Sequence, residues 1–158
     1  MNDWIFMLVV AALLGSALVG GIFFAFSTFV MKALARLATS EGIRVMQSIN
    51  VVVINPMFMG AFIGTAIFSA AIAIIALGGW AGPSPHWFFV GALHYVFGTF
   101  FVTAFGNVRL NDRLERVSPE ENERLWSHYL SKWTFWNHIR TTTAVIAAFC
   151  FSMGLLQF

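Results

Sequence analysis

Apolar positions in this chain run in long unbroken blocks, with no strict period. No Asp, Glu, Lys or Arg occurs within 4–31, 45–108 or 141–158. About 20 consecutive apolar residues are enough to cross a bilayer as a helix. The first block holds one such span, 4–30. The middle block is long enough for two, 46–77 and 86–106. The last, extended back over an aromatic stretch, gives 134–156. Between the second and third spans, residues 78–85 (GGWAGPSP) form a turn cluster. The pattern predicts an all-α integral membrane four-helix bundle, one domain over 1–158, running up-down-up-down.

Smaller features refine these elements. The stretch 46–77 exceeds one perpendicular crossing, so it is expected to tilt, to kink or to begin outside the hydrocarbon core. Pro56 lacks an N–H and frees the carbonyl of Val52, which places the kink there. Small residues four apart, Ser16/Gly20, Gly21/Ala25 and Gly60/Gly64, are the spacing that lets helix backbones approach in lipid. Trp80 and Trp87 flank the turn as interfacial aromatics. Ser118-Pro119-Glu120-Glu121 reads as a capping box that starts the helix leading into the last span.

Composition agrees. Charged residues make up 10% of the chain, against about 25% in soluble domains, and the mean hydropathy is +0.79. A soluble globular protein, a disordered chain and a DNA-binding domain are excluded, so no nucleic-acid partner is expected. The net charge is only +2, and its distribution is what informs. Lys32, Arg36 and Arg44 lie in the first connection. Arg109, Arg113, Arg116, Arg124 and Lys132 lie in the third. The positive-inside rule makes loops 31–45 and 107–133 cytoplasmic and puts both termini on the non-cytoplasmic side. Met-Asn-Asp-Trp offers no basic n-region, and the apolar stretch after it is too long for a signal peptide, so an uncleaved first span is expected. Cys150 is the single cysteine, so no intrachain disulfide forms.

Polar side chains inside a span need a partner or a function. Tyr95, Thr99, Thr103, Asn107 and Asn111 recur every four residues. Each step drifts about 40° on an ideal helix, so they form a slowly winding stripe. Interhelical hydrogen bonding would account for it, and His94 lies beside its upper end. Asn50 and Asn55 point about 140° apart and share a face only if the Pro56 region is distorted. Asn55 has a second reading, satisfying backbone groups at the kink. The last span opens with Trp133, Trp136, Asn137, His138 and Arg140, the deepest charge in the sequence. Snorkelling to the cytoplasmic interface is the other reading of Arg140, and an interfacial histidine bonded to a carbonyl that of His138. Asn50, Asn55, Asn107, Asn137, His138 and Arg140 all fall in the cytoplasmic half. Converged, they would line a polar pocket.

No HExxH or CxxC pattern is present, and no carboxylate falls within a predicted span. His94 and His138 differ by some 10–15 Å along the bilayer normal, too far for one haem iron. A haem held by His94 alone stays open as the cofactor alternative.

Five segments together resemble the anthrone oxygenase-like family of small four-span membrane proteins: 21–31 (GIFFAFSTFVM), 46–50 (MQSIN), 55–58 (NPMF), 107–111 (NVRLN) and 133–140 (WTFWNHIR). The resemblance runs over essentially the whole chain. Fungal members oxidise anthrones to anthraquinones with O₂, without metal or flavin. It implies an oxygenase-like protein with no cofactor, acting on a planar hydroxyaromatic, anthrone- or quinol-like molecule, in a bacterial inner membrane. On that reading His138 is the base, and Arg140, Asn137 and Asn107 hold the developing oxyanion. Trp133, Trp136, Tyr95, His94, Asn50 and Asn55 line the substrate site, and the span-one phenylalanines stack on the rings. The partners are then the bilayer and an apolar aromatic small molecule. A homo-oligomer or a membrane complex is also possible for such a surface. The rival class is a non-catalytic accessory subunit or small-molecule-binding protein.

Overall fold

The computed structural model describes residues 2–79, 82, 84–118 and 123–157. Trp80, Ala81 and Pro83 of the predicted turn, and Pro119, Glu120 and Glu121 of the predicted capping box, lie outside them. Every regular element described is helical. α1 spans Asp3–Leu34, α2 Thr39–Val52, α3 Pro56–Leu77, α4 Pro85–Glu115 and α5 Glu123–Leu155. α1, α3 and α4 are long and apolar enough to cross a membrane. Leu14, Leu18, Ile67, Phe97 and Phe149 stand exposed on the outer surface. So much outward apolar surface suits lipid better than water.

α1 packs against α3 and α5, and α4 against the same two. Paired positions run in opposite senses along neighbouring helices: Gly20 meets Ala144 while Ser27 meets Asn137 and Thr141. Small residues set the closest approaches. A Cβ at Gly15 would collide with Thr65, at Gly98 with Thr143, and at Gly154 with the Phe88 ring. Of the predicted packing glycines, Gly20 serves this way: a Cβ there would lie 3.3 Å from the Ala144 methyl. A Cβ at Gly21, Gly60 or Gly64 would meet no described residue of another element within 4 Å.

The expected span 46–77 is corrected. The helix stops at Val52 and a new one starts at Pro56. Asn55 sits at the break in extended conformation, as a residue before proline prefers. Its Oδ1 accepts the Phe58 N–H at 3.0 Å and its Nδ2 donates to the freed Val52 carbonyl at 3.0 Å. An Asn cap followed by Pro at the first helical position is a strong helix start. α2 becomes a separate helix tucked under the others, tied to the end of α4 by Gln47, whose Nε2 donates to the Leu114 carbonyl at 2.9 Å.

Two apolar clusters result. One runs along most of α1 to Phe23 and joins it to Phe62, Ile72, Phe88, Ala92 and Phe151. The other holds the loop end together, with Met31, Ile43, Met46, Leu114, Trp126 and Trp133. The candidate site lies where they meet.

Candidate functional site

α5 buries Tyr129, Trp133, Asn137, Arg140, Thr141, Ala144 and Ala147, a stripe at three- and four-residue spacing. Those steps keep side chains on one helix face. The middle of that face is polar although it points inward. Arg140 is 5% exposed. Its Nε donates to Asn137 Oδ1 at 2.8 Å and its Nη1 to Thr103 Oγ1 at 3.4 Å. The guanidinium carbon lies 3.8 Å from the centre of the Phe23 ring and 4.9 Å from that of Trp133. Nη2 makes no hydrogen bond to a described residue, and no described carboxylate pairs with the cation. Burying a guanidinium costs several kcal/mol. The two aromatic faces return about 0.5–2 kcal/mol each.

Asn137 anchors this arrangement. Its Nδ2 donates to the Phe23 carbonyl at 2.8 Å and to Ser27 Oγ at 2.7 Å. Ser27 lies in a widened, π-helical turn of α1, Phe26–Val30. The α4 stripe is built the same way. His94–Phe101 and Thr103–Asn107 are π-helical. On an ideal α-helix the three steps from Thr99 to Asn111 would drift about 120°. Wider π turns cancel that drift, and all four residues meet the Arg140 side of α5. Thr99 Oγ1 donates to the Arg140 carbonyl at 3.3 Å, and Asn107 Nδ2 to that of Trp133 at 3.1 Å. Asn111 Oδ1 accepts both Tyr129 Oη and Trp133 Nε1, each at 2.8 Å. Burial pushes the Tyr129 phenol above its ordinary range, while the Asn50 side chain and the Arg140 charge pull the other way. Tyr129 therefore stays a donor at neutral pH.

A cavity of about 630 Å³ opens beside Arg140, within the range of small-molecule sites. Phe23 and Phe26 of α1, Phe58 and Phe62 of α3 and Trp133 of α5 give it aromatic walls. Its polar lining is sparse: Arg140, Thr103, Asn50, Asn111, and the exposed Asp112 and Glu115. Asn50 Nδ2 in its lining, and Asn107 Oδ1 behind it, are buried with no hydrogen-bond partner among the described residues.

Of the expected site residues, Arg140, Trp133 and Asn50 line the cavity, and Asn137 and Asn107 support its wall. The others fall elsewhere, which corrects the single convergent pocket. His138 is exposed, since two residues from Arg140 turns it about 200° away. Asn55 is exposed and caps α3. Trp136 packs over Gly106. Tyr95 is buried behind the cavity wall, donating to the Phe62 carbonyl at 3.1 Å. His94 turns back onto its own helix, with Nδ1 2.9 Å from the Val90 carbonyl. Asp112 and Glu115 line the cavity without being among the residues expected there. Their spacing after Asn111, on the same helix as the polar stripe, was the available signal. Among the described residues no group of three or more His, Cys, Asp or Glu is placed to hold a metal ion.

The family model described as anthrone oxygenase matches residues 56–150, more than half of the chain. The chain belongs to the anthrone oxygenase family. The matched stretch carries Thr103, Asn107, Asn111, Trp133, Asn137 and Arg140. Phe23, Ser27 and Asn50, which complete the site of this anthrone oxygenase family member, come before it. No curated protein and no solved structure matches the chain.

Proposed function

We propose that the protein is a membrane-embedded oxygenase that takes a planar hydroxyaromatic, anthrone- or quinol-like substrate and O₂, without metal or flavin. The observation that carries this reading is Arg140, a cation buried with no carboxylate partner among the described residues, at the edge of an aromatic-walled cavity. An uncompensated buried charge favours a ligand that brings negative charge to it. An anthrone does so during reaction: loss of the proton on its methylene carbon places charge on the ring oxygen. Arg140 Nη2 is the free donor for that oxygen, and preorganised donors aimed at developing charge are a large term in catalysis. The aromatic walls hold the ring system, and O₂, itself apolar, partitions into the same space. The electron-rich enolate reduces O₂, a C–O bond forms at the same carbon, and loss of water leaves the quinone. One anthrone and one O₂ give one anthraquinone and one water.

The base is reassigned in this reading. His138 faces away, whereas Asp112 and Glu115 stand at the cavity. Asp112, next to Asn111, takes the proton and passes it to water.

α5 is the fourth span in this proposal. Both termini are then non-cytoplasmic, and loops 31–45 and 107–133 face the cytoplasm of a bacterial inner membrane. The loop charges support that orientation.

The test uses the full chain in lipid nanodiscs with a hydroxylated anthrone, following O₂ uptake and quinone absorbance. Quinone formation well above the rate in empty nanodiscs, one O₂ per quinone, is expected. Binding of the anthrone with no turnover would favour the non-catalytic small-molecule carrier instead.

A further inference from the structure

A second, smaller cleft of about 280 Å³ lies between the end of α4 and the start of α5. Its lining differs in kind from that of the main cavity. Arg113, Arg124 and His128 stand around it, Leu110, Leu114 and Leu125 form its apolar side, and Tyr129 closes the floor. No Asp or Glu is among these lining residues. The three basic side chains are exposed at its edge, and no ion pair to a described residue occupies either arginine.

Its depth is informative. Phe105, Val108 and Phe135 still present exposed apolar side chains. Arg113 lies five residues beyond Val108, roughly 7 Å along a helix, and His128 lies seven residues before Phe135, roughly 10 Å. The headgroup layer of a bilayer is about 5–8 Å thick on each side of the hydrocarbon. The cleft therefore begins where the hydrocarbon ends. Two arginines and a histidine around a concave site with leucines in its wall match a phosphate whose other ester is anchored in lipid.

We propose that this cleft binds the phosphate of an anionic phospholipid headgroup. The inference rests on the membrane placement proposed above and is independent of the oxidation chemistry. The cleft also shares a wall with the substrate cavity. Tyr129 forms its floor, and the Tyr129 hydroxyl donates to Asn111, which lines that cavity. A bound headgroup would hold the end of α4 and the start of α5 around both sites in one arrangement.

The experiment is lipid retention by the purified full chain in detergent, read by native mass spectrometry, and it does not depend on turnover. Phosphatidylglycerol and phosphatidylcholine of the same acyl chains are offered. Phosphatidylglycerol should be preferred. Arg113→Gln with Arg124→Gln should weaken its retention about 5-fold per arginine and about 30-fold together. The charge-matched pair Arg109→Gln with Arg116→Gln, outside the cleft, should leave it within about 2-fold of the parent. Equal retention of the two lipids would overturn the proposal. So would equal losses in the two double variants, because diffuse charge would then be enough. Displacement of the lipid by millimolar inorganic phosphate would overturn the lipid as the source and leave a free-anion site. All four arginines are exposed, so each variant is expected to fold, and an unchanged melting temperature checks it.

Discussion

From Ile5 to Val19, α1 packs against its neighbours with Val9, Ala12 and Ser16 buried, and at the same end of the bundle Ala92 of α4 and Ala147 and Gly154 of α5 are buried too. From Phe23 onward α1 meets its neighbours through aromatic rings, a serine hydroxyl and a carbonyl that receives an amide. The first stretch is regular α-helix and closes tightly. In the second, α1 and α4 both adopt π-helical turns, and the large cavity opens. Regular turns let small residues interlock, whereas widened turns spread the helices and leave room for a ligand. Such turns occur often at functional sites, and here they fall on the residues that surround Arg140.

That contrast can be broken by substitution. Arg140→Gln keeps a polar side chain but removes the charge. In nanodiscs it should lower quinone formation about 10²–10³-fold, the usual cost of removing an oxyanion donor. Activity near the parent level would mean the cavity end is not the reaction centre. Asp112→Asn should lower turnover about 10²-fold, as for loss of a positioned base. If Glu115→Gln has that effect and Asp112→Asn does not, the proton leaves through the neighbouring carboxylate. On the close-packed side, Ala12→Leu forces extra methylenes into a filled layer and should cost about 1–3 kcal/mol of stability. Thermal unfolding would report it, and turnover per folded molecule should not change. His138→Ala should be the quietest, with turnover within about 2-fold of the parent, as for most exposed positions away from the site. A large loss there would bring back the histidine as base.

Much of this was legible beforehand, for identifiable reasons. Charge-free blocks locate long apolar helices because a charge in hydrocarbon is costly. Arg140, Asn137 and Asn107 were visible for the same reason, being polar where neighbours are apolar. The break at Asn55 was also readable: the residue before a proline avoids the α region, and an asparagine there is a cap. Hydropathy alone left 46–77 to tilt, kink or begin outside the core, and local backbone chemistry at Asn55-Pro56 decides for a separate helix before the crossing. His138 and Arg140 could not share a cavity on any regular helix, because two residues turn about 200°. The far wall was hidden for another reason. Phe58 and Phe62 join Phe23 at the cavity through tertiary packing alone, and in an apolar span nothing sets them apart from exposed neighbours such as Met57 and Phe68. The π turns left no mark in the polar spacing, which repeats every four residues with or without them.

Arg140 also bears on how the chain is made. With α5 as a span, its insertion brings a guanidinium into the bilayer at about 2.5–3.5 kcal/mol on the translocon scale if the charge lies near the centre. Beyond Trp133 and Asn137 of α5 itself, the groups that relieve that cost belong to other helices. Phe23 and Ser27 come from α1 and Thr103 from α4, and both precede α5 in the chain. Their order of synthesis is the order in which they are needed. α5 becomes a stable membrane helix only when the earlier ones are in place to receive it, so an α5 segment expressed alone should insert poorly in a glycosylation-mapping assay, and co-expressed 1–118 should restore it. The residue proposed to govern the chemistry would then also make biogenesis sequential, with the cavity forming as the last helix docks.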